Sequence, residues 1–288
     1  MESCQFVSLG TRGRLAFCEY GDAWGVPVFF FHGWPSSRTM GEFADQAARE
    51  LNVRIISPDR PGICDSTFQA NRRLLDWPND LQVLADHLRI PRFHILAFSG
   101  GAPYAYVAGL KMPERVRGMA IVSGAVPFAD LRDHGGLLPL YRWMVWFYRN
   151  QPALLRASFR LVRPLMSWRT SARTYFHTLP RPDADVLRDN AAFQVIFESQ
   201  RRAWSGPGAY GVMADAEIYG RPWGFRLEDV DVPVRLWHGK QDRAFSYRVA
   251  DETAKRLPNC VARYIDNEGH FSLPIRHMHE ILADLISI

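Results

Sequence analysis

Apolar residues recur along this chain in two spacings, and the spacings alternate. Residues 26–31 (Val-Pro-Val-Phe-Phe-Phe) and 93–98 (Phe-His-Ile-Leu-Ala-Phe) are nearly unbroken apolar runs. Such runs predict strands buried on both faces, as in a parallel sheet. Shorter runs at 53–57, 116–122, 232–237 and 261–265 read as further strands. Residues 5–9 and 14–20 predict an opening hairpin, turning at 10–13. Between the strands the apolar spacing becomes helical, at 38–51, at 77–88 (Leu81, Leu84, Ala85, Leu88), at 102–110 and at 247–257. Ser246 precedes the last of these as an expected N-cap. A final helix ends near residue 288. Strands alternating with helices predict the α/β class: an open, mostly parallel sheet with helices on both faces. From 126 to 224 the alternation stops. Helical patterns at 137–148, 153–166, 191–204 and 209–219 follow one another there, rich in Trp, Tyr, Phe and Arg. We read this stretch as a helical cap inserted over the sheet edge, so that 1–125 and 225–288 form the core and 126–224 the cap.

Functional loops of such sheets gather at the carboxyl ends of the strands. That rule brings His32-Gly33, Ser99 and Ser123 to one edge. The turn Ala97-Phe98-Ser99-Gly100-Gly101 is the sharpest of these, because a strand there reverses straight into a helix. Small residues two before and two after the apex, Ala97 and Gly101, make room for it. Pro103 suits the first helical turn. The first amides of the helix favour negative charge beside Ser99.

A serine hydroxyl is a poor nucleophile at neutral pH. It needs a base, usually histidine, and the base needs an acceptor to orient it. Asp242, in His238-Gly239-Lys240-Gln241-Asp242, and His270, in Asn267-Glu268-Gly269-His270-Phe271, each stand just beyond a strand end. The chain order Ser99, Asp242, His270 is that of a triad on this architecture. Asp130, after the 116–122 strand, is the rival acid. Acyl transfer also needs two fixed donors for the oxyanion. The N–H groups of Gly100 and Trp34 are the candidates, and His32 is expected to be a buried structural histidine. Trp34, Phe98, Trp143, Phe147 and Phe271 are the candidate substrate contacts.

Composition narrows the picture. A hydrophobic share of 47% in 288 residues allows a substantial core. The net charge of +5 is modest, and only Lys111, Lys240 and Lys255 are lysines, so nucleic-acid binding is not expected. The four scattered cysteines (Cys4, Cys18, Cys64, Cys260) show no metal-like pairing and suit a reducing, cytoplasmic setting. Cys64 is not expected to be a nucleophile. His277 and His279 fall on different helix faces, so no metal is expected from them. The start of the chain does not read as a signal peptide, and no stretch predicts stable membrane insertion. Residues 141–149 could lie on a membrane surface, but a helix packed on the core with aromatics lining the pocket is the preferred reading. The chemistry requires no cofactor, and the composition is silent on oligomeric state.

The motifs taken together resemble those of α/β-hydrolase-fold enzymes. The matching pieces are His32-Gly33-Trp34-Pro35, Pro58-Asp59-Arg60-Pro61-Gly62, Ala97-Phe98-Ser99-Gly100-Gly101, Gly239-Lys240-Gln241-Asp242 and Gly269-His270. The resemblance implies an eight-stranded sheet with the second strand antiparallel, and a helical cap. Ala97 and Cys64 stand where glycine is more usual, which leaves the loop around Cys64 open to a different setting. His32-Gly33-Trp34-Pro35 is also similar to the corresponding loop of epoxide hydrolases. Those enzymes and the haloalkane dehalogenases use an aspartate nucleophile, and Ser99 stands in its place. The expected activity is therefore serine hydrolysis of an ester or related acyl group on a small hydrophobic substrate. Lactone opening, carbon–carbon hydrolysis, acyl transfer and a receptor-like binding role on the same fold are the alternatives.

Overall fold

The computed structural model describes residues 4–128, 136–166, 179–205 and 209–288. Eight strands form one sheet: β1 (Gln5–Ser8), β2 (Arg14–Gly21), β3 (Val26–Phe31), β4 (Val53–Pro58), β5 (Phe93–Phe98), β6 (Val116–Val122), β7 (Val234–Gly239) and β8 (Cys260–Ile265). Their order is β1-β2-β4-β3-β5-β6-β7-β8. β2 pairs antiparallel with β1 and β4, and all pairs from β4 to β8 are parallel. The strand count and the one reversed strand are those the resemblance implied.

The unbroken apolar runs are explained by the two faces they serve. Phe29, Phe31, Ile95 and Ala97 face α2 (Trp77–His87) and α3 (Ala102–Lys111). The alternate residues Val28, Phe30, Leu96 and Phe98 belong to a second apolar cluster. That cluster lies under α1 (Asp45–Glu50) and α10 (Ser272–Ile286). A helix numbered here α9 (Tyr247–Arg256) packs beside β7 and β8. Between β6 and β7 come α4 (Pro139–Asn150), α5 (Pro152–Met166), α6 (Arg181–Val186), α7 (Asn190–Ser205) and α8 (Tyr210–Gly220). α6 went unrecognised in the sequence because six residues are too few to show a helical period. Among the described residues no helix is long and apolar enough to cross a membrane.

Two local expectations change. The helix expected over 38–51 is a 3-10 segment from Arg38 to Ala44, followed by the short α1. The segment lies too close to the sheet for a wider coil: a Cβ on Gly41 would sit 2.8 Å from the Tyr20 ring and 2.9 Å from Ser57. The Arg38 carbonyl accepts the Ser57 hydroxyl at 2.8 Å, and its N–H is bound by the Asp59 carboxylate at 2.6 Å. Ser246 does occupy the N-cap of α9 in extended conformation, yet its hydroxyl makes no bond to the helix. Instead the Ser246 carbonyl accepts the N–H of Val249 at 3.0 Å, and its own N–H is held by the Gly136 carbonyl at 2.7 Å.

Candidate active site

β5 ends at Phe98, and Ser99 follows with φ +50°, the left-handed region that costs a non-glycine residue about 1–3 kcal/mol. The strain persists because the turn is fixed on both sides. A Cβ on Gly101 would lie 2.2 Å from the Phe31 carbonyl oxygen. Gly100 is equally confined: a Cβ there would come within 2.8 Å of Trp34 Cβ, 2.7 Å of the Tyr219 hydroxyl and 3.1 Å of the Trp34 nitrogen. The Trp34 amide and the first turn after Ser99 therefore stand side by side. We expect Gly100→Ala to push Trp34 away and to slow reaction at the Ser99 hydroxyl by about 10²-fold, measured as the rate of its labelling by a fluorophosphonate.

His270 lies between two oxygens. Its Nε2 is 3.0 Å from Ser99 Oγ, and its Nδ1 is 2.8 Å from Asp242 Oδ2. The other Asp242 oxygen accepts the N–H groups of Ala244 at 2.7 Å and Phe245 at 3.1 Å. All three side chains are buried. Burial by itself would raise the Asp242 carboxyl, but His270, its hydrogen bond and nearby His238 carry it below the ordinary range. Burial would likewise lower His270, and the charge of Asp242, its hydrogen bond and the charge of Asp183 outweigh it and raise the imidazole. The arrangement can take a proton from Ser99 at Nε2 while Asp242 holds the ring.

The loop after β3 carries His32, Gly33 and Trp34. Arg60 donates to the His32 carbonyl at 2.6 Å and to the Gly33 carbonyl at 2.7 Å, so both peptide planes are fixed. Arg60 is in turn paired through Nε with Asp215 of α8 at 2.7 Å. Asp215 also accepts Arg72 and the Tyr104 hydroxyl, the latter at 2.7 Å. On the same face of α8, the Tyr219 hydroxyl donates to the Gly100 carbonyl at 2.8 Å, and the Val212 carbonyl accepts Trp34 Nε1 at 2.9 Å. His32 is fully buried, with Nδ1 3.0 Å from the Gly33 carbonyl; burial and the Arg60 charge hold it well below the usual histidine range. It is a structural histidine, as expected. Ser123 is buried behind the edge, with φ +47°.

Ser99 and His270 open into a cavity of about 290 Å³, bounded by Trp34, Phe98, Phe271 and Met40 from the core and by Leu140 and Tyr141 from α4. This size lies near the lower end of small-molecule sites, about 300–1,000 Å³. A recess of about 10 Å³, bordered by Trp34, Ser99 and Gly100, adjoins it. Three of the expected contacts, Trp34, Phe98 and Phe271, line the cavity; Trp143 and Phe147 do not. The face of α4 decides this. Tyr141 and Met144 turn toward Ser99, whereas Trp143 stands 51% exposed with its ring against Phe147. Phe147 packs with Met144, Leu155 and Ala216 instead. Asp130 lies outside the described residues.

The loop at Cys64 is set as a glycine would set it: Cys64 has φ +45°, and burial pushes its thiol well up from the ordinary value. His277 sits 3.4 Å from Glu268, and His279 sits 3.9 Å from Glu50, so the two face different neighbours.

A sequence profile described as alpha/beta hydrolase fold matches residues 26–275. The chain belongs to the α/β-hydrolase-fold family. It is 31% identical over 206 residues to an uncharacterized hydrolase, YcgS, of Bacillus subtilis, covering 68% of each chain. Among solved structures it is similar to the epoxide hydrolase CorEH, with a TM-score of 0.75 and 17% identity over 100% of this chain and 99% of that one. It is also similar to a thermophilic esterase of Thermogutta terrifontis, with a TM-score of 0.69 and 18% identity over 99% and 96%. At those identities the structures speak for the shared fold.

Four residues of the α/β-hydrolase site escaped the sequence reading: Asp183, Asp215, Tyr219 and Arg72. Three come from the inserted helices, where no strand end marks a position. Asp215 and Tyr219 did carry one signal, since a spacing of four puts them on one helix face.

Proposed function

We propose that this α/β-hydrolase-fold protein is a serine hydrolase that cleaves a carboxylic ester, or a related acyl bond, of a small, mostly apolar substrate. One observation carries the reading: Ser99 Oγ, His270 and Asp242 form a continuous hydrogen-bonded chain at 3.0 and 2.8 Å beside a largely apolar cavity. In the proposed reaction the Ser99 proton passes to His270 Nε2 as Oγ attacks the carbonyl carbon. The oxyanion is received by the N–H groups of Gly100 and Trp34. His270 then returns its proton to the leaving alkoxide as the carbon–oxygen bond breaks, leaving acyl-Ser99. Water, deprotonated by the same imidazole, releases the acid and regenerates Ser99. Leu140 and Tyr141 of α4, with Leu179, Pro180 and Gln200, wall the cavity from the inserted segment, which supports a cap role for its described helices. The relatives named hydrolase or esterase agree with this chemistry, and Ser99 argues against the aspartate chemistry of an epoxide hydrolase.

A fluorophosphonate tests the proposal. It should label Ser99, as read by peptide mapping, and His270→Ala should abolish labelling. Label on another residue, or labelling indifferent to His270, sinks the reading. The pH dependence has a defined sign. Only neutral His270 can accept the proton, so kcat/KM falls as the pH falls through its pKa. Asp242 and Asp183 raise that pKa from the ordinary 6.5, so the acid limb should have its midpoint above 6.5.

A further inference from the structure

The described geometry of Ser99 and His270 leaves one buried carboxylate in the same cavity without a role. Asp183 lies in the first turn of α6, in the inserted segment, and is 1% exposed. Its Oδ2 accepts the His270 N–H at 2.9 Å, and its Oδ1 accepts the N–H groups of Phe271 and Ser272, each at 2.9 Å. These are the backbone donors where the β8 loop enters α10, and α10 has no side-chain cap of its own. The close approach is built into the loop: a Cβ on Gly269 would stand 2.5 Å from both Asp183 oxygens. The carboxylate thus grips the peptide of the base itself, from an element 87 residues away in sequence.

We propose that Asp183 is a positioning residue for His270, fixing the peptide that carries the imidazole and adding a second negative charge beside it. The proposal rests on His270 acting as the base for Ser99. Several other groups face His270. From β7 and its loop come Asp242, on Nδ1, and His238, which lies 3.5 Å from Asp242. From the turn after β5 comes the Ser99 hydroxyl, and Arg243 stands at the cavity wall. Glu268, two residues before His270, is turned to Arg276 and His277. Asp183 is therefore the one carboxylate besides Asp242 that reaches the His270 residue by a hydrogen bond among the described residues. A carboxylate near an imidazolium favours the protonated ring, so removing its charge lowers the His270 pKa.

The test is the second-order rate of labelling by a fluorophosphonate as a function of pH. In that reaction the Ser99 oxygen–phosphorus bond forms, fluoride leaves, and the hydroxyl proton goes to His270. Asp183→Asn removes the charge and keeps one of the two acceptor oxygens, an NH2 donor replacing the other; its acid limb should move down by about 0.5 pH unit or more, and its plateau should fall less than that of Asp183→Ala. Asp183→Ala removes the acceptors as well, and its plateau should fall by about 10²-fold as the base drifts from Ser99. A structural cap alone would lower the unfolding temperature of both variants and leave the limb in place. An Asp183→Asn limb that superimposes on wild type overturns the proposal, as does an Asp183→Ala plateau equal to wild type. If Asp183→Ala does not fold, the Asp183→Asn limb decides. Wild-type protein that is not labelled at Ser99 would instead overturn the hydrolase reading, whatever the Asp183 variants do.

Discussion

Under the proposed serine mechanism, Ser99→Ala is expected to lower kcat by about 10⁵–10⁶-fold and leave the fold unchanged, because hydroxyl and base would act as a unit and the loss of either would remove most of the chemistry. Residual turnover would come from the Gly100 and Trp34 amides, the small recess beside them and the apolar cavity. The companion variant makes the prediction sharper. Ser99 sits at φ +50°, where an L side chain is strained. Ser99→Gly removes that strain and should raise stability by about 1 kcal/mol while being as inactive as the alanine variant. Urea unfolding followed by fluorescence measures the one, and ester hydrolysis the other. A serine kept where glycine is more stable is a residue held for its hydroxyl. A glycine variant less stable than wild type would mean that the turn is not strained in the way its backbone angles imply.

The frame around this serine was legible because each of its signals is short-range. Phe29 and Phe30 face opposite apolar clusters, so a run that refuses to alternate reads directly as a central strand. Ser99, Asp242 and His270 each follow a strand end within a few residues, so the topology brings them together. The inserted helices gave no such anchor. Trp143 and Phe147 looked like cavity residues because they are large and aromatic. Which face of α4 turns inward is set by α5 and α8, whose packing on α4 no local pattern reveals. Asp183 carried no signal in the sequence, because its own short helix shows no period there, and only the fold reveals that it caps a different helix. The 3-10 course of Arg38–Ala44 was hidden for the same reason, since Tyr20 and Ser57 press on Gly41 from other strands.

Asp215 is the residue whose loss should cost the fold most. Its carboxylate is fully buried between Arg60 and Arg72, which are themselves nearly inaccessible, and it accepts the Tyr104 hydroxyl as well. Burial alone would raise this carboxyl; the two guanidinium groups overcome that and hold it at about 2. Its contribution to stability is therefore complete above about pH 4 and is lost as the pH falls through about 2. Asp215→Ala leaves two buried cations without a counter-charge, and breaking such a group costs about 3–5 kcal/mol. That is a large part of the total of about 5–15 kcal/mol expected for a domain. Arg156→Ala gives the contrast: its pair with Glu217 is half exposed, and its loss should stay within about 0.5 kcal/mol. Both are measured as shifts in the urea midpoint at constant slope. The same variant also tests how the site is assembled. Arg60 grips the carbonyls of His32 and Gly33 only while Asp215 holds its other edge, and the Trp34 amide follows directly after them. Folded Asp215→Ala should then label with a fluorophosphonate at least about 10-fold more slowly than wild type. A folded variant that labels at the wild-type rate would show that the loop is set without its arginine. The stability loss would then stand alone, as the cost of two unpaired charges.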